Sequence, residues 1–210
     1  MIGIPLAIAA SGLSEWWIHK HILHAAGKKR ESFWSFHFHE HHSAARRNGM
    51  LDNDYLRSPF AWNAQGKELL GLCMIGVPLV ALAPIMPFFS ATSVYMGLRY
   101  YRVHKRSHLD PEWARKNVPW HYDHHMGPDQ DSNWGVTVQW PDKLLGTRKP
   151  YLGTAKEEKD RARREARAAA KAPANASAAS ADAHHIEPAA VAVNTAANDA
   201  QARYSSANVA

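Results

Sequence analysis

The sequence predicts an all-α fold: an integral-membrane helical bundle with a histidine-rich cap at one end and a disordered C-terminal tail. Three observations predict it. Apolar residues gather in two nearly uncharged stretches; every histidine except His184 and His185 falls into four short clusters beside them; and the chain from residue 156 onward is dominated by Ala, Lys, Arg, Glu, Asn and Ser. At 210 residues the chain is long enough for one domain with a core. Its 46% hydrophobic and 21% charged content would suit an ordinary globular protein, but the two kinds are segregated along the chain, so the mean hydropathy of −0.42 averages two regimes.

The first apolar stretch runs from Ile2 to Ile18. It lacks the basic start and small-residue cleavage site of a secretory signal, and it ends at Trp16-Trp17, so it is read as a membrane helix finishing at an aromatic interface. The second stretch, Leu69 to Tyr101, contains Pro78, Pro84 and Pro87. One straight helix of that length would measure about 50 Å, well beyond a hydrocarbon core of about 30 Å, so a hairpin is predicted whose short arms tilt or re-enter. Together these make residues 1–152 the membrane domain. Residues 153–172 carry charge on every face and predict an exposed helix, and 173–210 form an Ala-rich tail too polar to order itself, with His184 and His185 solvated in it.

The formal charge of +6 points to a membrane surface rather than nucleic acid, because the basic residues follow the apolar stretches. Lys28, Lys29, Arg30, Arg46 and Arg47 follow the first; Arg99, Arg102, Lys105 and Arg106 follow the second. By the positive-inside tendency both ends lie at the cytoplasmic face, which in a bacterial cell means the inner membrane. The single cysteine, Cys73, excludes a disulfide framework and a cysteine-type zinc site.

The clusters are His19/His21/His24, then His37/His39/His41/His42, then His104/His108, then His121/His124/His125. Twelve residues separate His24 from His37 and His108 from His121, which reads as a pair-then-triplet unit used twice. Residues at i, i+3 and i+4 share a helix face, so each unit is expected to converge about five imidazoles on one metal ion. The expected ligands are His19, His24, His41, His42, His104, His108, His121, His124 and His125, with the tenth open between His37 and His39. His21 cannot face the same centre as both His19 and His24. The hairpin supplies the even number of crossings that lets all four clusters meet.

Glu15, Glu40, Asp123, Asp129 and Asp131 are expected to accept hydrogen bonds from imidazole N–H groups rather than to bind metal. Asp123 is the strongest of these candidates for a supporting role, alongside Asn133, which is read as a loop cap or a weak ligand.

The order HX4H, HX3HH, HX3H, HX2HH resembles the integral-membrane fatty acid hydroxylase and sterol desaturase superfamily. Glu15-Trp16-Trp17-Ile18-His19 resembles its approach to the first box and Trp34-Ser-Phe-His37 with His41-His42-Ser43 its second. Asn133-Trp134-Gly135-Val136 and Trp140-Pro-Asp142 through Gly146-Thr147 resemble the stretch after its last box. The likeness spans about residues 14 to 150. Two departures stand out: Phe38 occupies the position where the family's second box places a histidine, and the lead-in before His19 is short.

The resemblance implies a histidine-ligated di-iron centre, with zinc as a substitute in isolated protein, that uses O2 to hydroxylate or desaturate a fatty acyl or sterol-like lipid. It also implies a separate ferredoxin or cytochrome as electron donor, since no haem domain is discernible in the sequence. A carotenoid-ring hydroxylase and a non-catalytic membrane metal-binding protein are the alternatives. A zinc hydrolase needs far fewer histidines.

Overall fold

In the computed structural model, residues 2–182 are described, and among them every regular element is helical. Helix α1 (Gly3–Ile18) passes without a break into a π-helix, His19–Ala26, and a second π-helix, His37–His42, leads into the short α2 (Ser43–Arg47). After a 3-10 turn at Asn53–Leu56 come α3 (Ala64–Ala81), α4 (Pro87–Leu109), α5 (Pro111–Asn117), α6 (Pro119–Met126) and α7 (Trp140–Leu144).

Local chemistry sets the boundaries. Asn63 caps α3 by accepting from the Gly66 N–H at 2.9 Å, and Asp110 caps α5 by accepting from Trp113 at 3.0 Å. Proline opens α4, α5 and α6, where its missing N–H costs nothing. The predicted hairpin is present, with Pro84 in the turn between α3 and α4. Its arms extend past the apolar stretch at both outer ends, so α4 reaches about 35 Å from end to end and carries His104 and His108 on its last turns.

Helix α4 lies against both α1 and α3. The outer surfaces of these three helices are apolar and exposed: Leu6 and Ile8 on α1, Met74, Val77 and Val80 on α3, Phe88 and Leu98 on α4. One helix among the described residues, Ala64–Ala81, is long and apolar enough to cross a membrane. The buried apolar cluster lies at the other end, where Met50, Ala114, Val118, Tyr122, Met126 and Tyr151 pack under the short helices. Between this cluster and the long helices the interior is polar and made mostly of imidazole.

The chain divides into two compact units at Leu152. In the second, α8 (Ala155–Asp182) is built from strong helix formers, with Lys156–Asp160 and Arg161–Glu165 pairs at i, i+4. It continues past the predicted end of the charged helix near residue 172, since alanine-rich sequence carries high intrinsic helix propensity. His184 and His185 lie outside the described residues.

Candidate metal centre

Ten histidines are buried in one continuous cluster: His19, His24, His37, His41, His42, His104, His108, His121, His124 and His125. Two groups of donor nitrogens gather within it, each with all atoms within 4.8 Å of one another: His19, His24, His37, His42 and His124 in one, His41, His104, His108 and His125 in the other. His121 borders the second group, its Nε2 3.2 Å from that of His108.

The two groups are not the two sequence units. Each unit lends one histidine to the other: His41 joins the group of α4, and His124 joins the group of the first two clusters. The cause is the adjacent pairs His41-His42 and His124-His125. Neighbours on an α-helix point about 100° apart, and on a π-helix somewhat less, so such a pair straddles two centres instead of serving one. The five-residue spacings His19–His24 and His37–His42 have the opposite effect. On an α-helix they would diverge, but in the observed π-helices i and i+5 stack on one face and reach the same group.

His39 does not join either group: its Nε2 lies 3.1 Å from the Lys28 carbonyl at the surface, while His37 is 3% exposed with its Nε2 3.0 Å from that of His19. Phe38 lies between, its ring parallel to His42. His21 is exposed and packs against Trp16 and Trp17.

The outward nitrogens decide the tautomers. His19 Nδ1–H donates to the Trp134 carbonyl at 2.6 Å, His124 to that of Ser132 at 2.7 Å and His108 to that of Met50 at 2.9 Å. His41 donates to Asp52 at 2.8 Å and His104 to Glu68 at 2.7 Å, with Tyr55 donating to the same Glu68 carboxylate. Carbonyl and carboxylate oxygens only accept, so each of these imidazoles carries its proton outside and turns an Nε2 lone pair inward. His42 repeats the pattern against Gln130 at 3.1 Å.

The inward nitrogens lack proton-donating partners. His42 Nε2 stands 3.1 Å from His24 Nε2 and 3.1 Å from His124 Nε2, and the Nε2 atoms of His41 and His104 and both nitrogens of His125 have no hydrogen-bond partner. Nitrogens bound at about 2.1 Å to one ion stand about 3.0 Å apart at adjacent octahedral positions, which matches these separations. Burial, reinforced by neighbouring imidazoles, holds His37, His42, His121, His124 and His125 well below the ordinary imidazole range, so they are neutral donors at physiological pH. Buried neutral nitrogens with converging lone pairs fit a cation in each group.

The supporting acids are largely others than those expected. Asp123 pairs with Arg148 at 2.7 Å and caps the Leu152 N–H, touching no imidazole. Glu15 accepts from Val136 and Thr137, Glu40 pairs with Lys67, Asp129 with Lys149, and Asp131 with Lys28, standing 3.6 Å from His24. Asn133 sits at φ 58° and caps the loop, accepting from Lys149 N at 2.7 Å and donating to its carbonyl. The acids that do hold imidazoles, Asp52 and Glu68, are distant in sequence from the histidines they support. Asp142 acts one step further out: it accepts from the N–H groups of Trp134 and Gly135 and from Thr147, tying down the loop whose carbonyls orient His19 and His124.

A cavity of about 470 Å³ opens from the donor groups between α1, α3 and α4. His19, His37, His41 and His104 form its polar end beside Tyr55 and Glu68, and the rest of its wall is mainly apolar, including Leu72, Ile75, Val94 and Phe89.

No curated protein and no solved structure matches the chain. The family model for fatty acid hydroxylase matches residues 4–147, which covers α1 through the loop after α7 and so contains both donor groups and the cavity. The chain therefore belongs to the fatty acid hydroxylase family, within the sterol desaturase and fatty acid hydroxylase superfamily.

Proposed function

We propose that this chain is a membrane oxygenase that holds two irons in the two histidine groups and hydroxylates or desaturates a lipid C–H bond with O2 and electrons from a separate ferredoxin or cytochrome. One observation carries the reading: two sets of inward-facing imidazole lone pairs form the end wall of an apolar cavity. His19, His24, His37, His42 and His124 would hold one ion, and His41, His104, His108 and His125 the other, with His121 completing the second set. Such a pair of ions, when bound, supplies the activation of O2 and the removal of hydrogen from an unactivated C–H bond.

The residues of the chain do the rest. Apolar side chains along α1, α3 and α4 keep water from the reacting end and hold an alkyl group against the histidine wall. Asp52, Glu68 and the carbonyls of Met50, Ser132 and Trp134 keep the Nε2 lone pairs aimed inward. Electrons arrive from outside, and a hydroxylation consumes O2 with a pair of electrons and a pair of protons, releasing alcohol and water. The exposed apolar flanks of α1, α3 and α4 suit a bilayer, with the basic residues around the cap at its cytoplasmic face.

The test is expression of the chain and of His124→Ala in a lipid-producing bacterium, followed by mass spectrometry of total lipid. A lipid heavier by one oxygen atom, or lighter by a pair of hydrogens, that vanishes in the variant is the expected result. Identical extracts with metal still bound would favour a metal-binding protein without oxygenase activity.

A further inference from the structure

Resting on the oxygenase reading, the geometry points to the way a substrate is admitted: one unbranched alkyl chain enters sideways through the gap between α1 and α3, lies along α4, and is gauged by Gly76 and Gly97. Helix α4 packs on both neighbours, whereas α1 and α3 do not pack closely on each other, so the cavity has α4 as its back wall and a slot as its mouth. The mouth opens on the exposed apolar flank, where Ile75, Val77 and Val80 line the cavity and face outward at once. A lipid chain meets that slot without crossing water.

At the far end Gly3 on α1 abuts α4, where an added Cβ would stand 2.9 Å from the Phe89 nitrogen, and Phe89 is the α4 residue of the lining farthest from His104. From His104 to Phe89 the back wall is about 22 Å long at 1.5 Å per residue. An extended chain of single bonds advances about 1.2 Å per bond, so the slot takes about 18 carbon–carbon bonds. The histidine wall stands at the cap end, level with the basic residues and hence with lipid head groups. The chain therefore lies tail-down, and the C–H bonds presented to the centre are those near its polar end.

Gly76 on α3 and Gly97 on α4 line this slot, and a Cβ built on either meets no atom within 4 Å. Side chains placed there would project into the space the alkyl chain needs. Cys73, the single cysteine of the chain, also lines the cavity and is exposed, which gives the test a reporter.

The test measures the rate at which N-ethylmaleimide modifies Cys73 in the full-length, zinc-loaded chain in detergent, with and without palmitate. Palmitate is expected to slow modification several-fold in the unaltered chain and to have little effect in Gly97→Phe and Gly76→Leu, both checked for helical content and zinc. If Gly97→Phe fails to fold, Gly76→Leu carries the comparison. An unchanged rate with palmitate, equal protection of the folded variants, or protection by cholesterol and not by palmitate would each overturn the proposal. Zinc supports no oxygen chemistry, so protection without any lipid product in cells would count against the oxygenase reading and leave this one standing.

Discussion

A neutral imidazole has one N–H to give, and in this cap the acceptor that takes it decides which nitrogen remains for a metal. Asp52 is the clearest case, because it accepts from His41 and is itself 2% exposed. Asp52→Ala is expected to weaken metal binding in the group of His41 by about 10–100-fold, with Asp52→Asn recovering much of it through its amide oxygen, read by competition with a chromophoric chelator. The same titration separates the second-cluster histidines: His37→Ala should lose affinity and His39→Ala should match the unaltered chain, since only His37 faces a donor group. That choice was open in the sequence, where both lie within one turn of His41 and His42. The acceptors were less legible. Asp52 and Glu68 lie 11 and 36 residues from the imidazoles they hold, and a carbonyl such as that of Trp134 leaves no mark in side-chain chemistry.

At the scale of elements, the histidine spacing placed the clusters on helices, and the length of the second apolar stretch with its prolines placed the hairpin between them. It missed the exchange of His41 and His124 between the two groups. Spacing alone tells which side chains share a face; which centre that face meets depends on how the helices lie together. The HX4H spacing did carry a readable signal, because i and i+5 converge only in a π-helix, at the cost of weaker backbone geometry. Deleting Lys20 would rotate His24 relative to His19 and is expected to abolish binding in that group while leaving the His104 group loaded, measured as metal per chain. Asp142 binds the loop from Trp134 to Gly135 into place, so Asp142→Ala should loosen the carbonyls that orient His19 and His124. The expected outcome is a lower melting temperature, from the loss of hydrogen bonds worth about 1.5–3 kcal/mol each to a charged acceptor, together with weaker metal binding.

For the whole molecule, a metal bound by these buried imidazoles would be part of the folding equilibrium. Burial holds the imidazoles of His42, His124 and His125 neutral in the folded chain, whereas in the unfolded chain they take up protons near about pH 6.5. The unfolded state therefore binds more protons below that pH, and stability that is full above it declines as pH falls through it. Thermal melts in detergent should show a falling midpoint between about pH 7.5 and 5.5, and a chelator at neutral pH should lower the midpoint as well, because the donors then converge with nothing between them. The most direct measurement of the central claim is iron per chain, by elemental analysis of anaerobically loaded protein, in the unaltered chain and in His124→Ala and His41→Ala. Two irons are expected in the unaltered chain and about one in each variant, lost from opposite groups. One iron in the unaltered chain, or two retained in both variants, would contradict that claim.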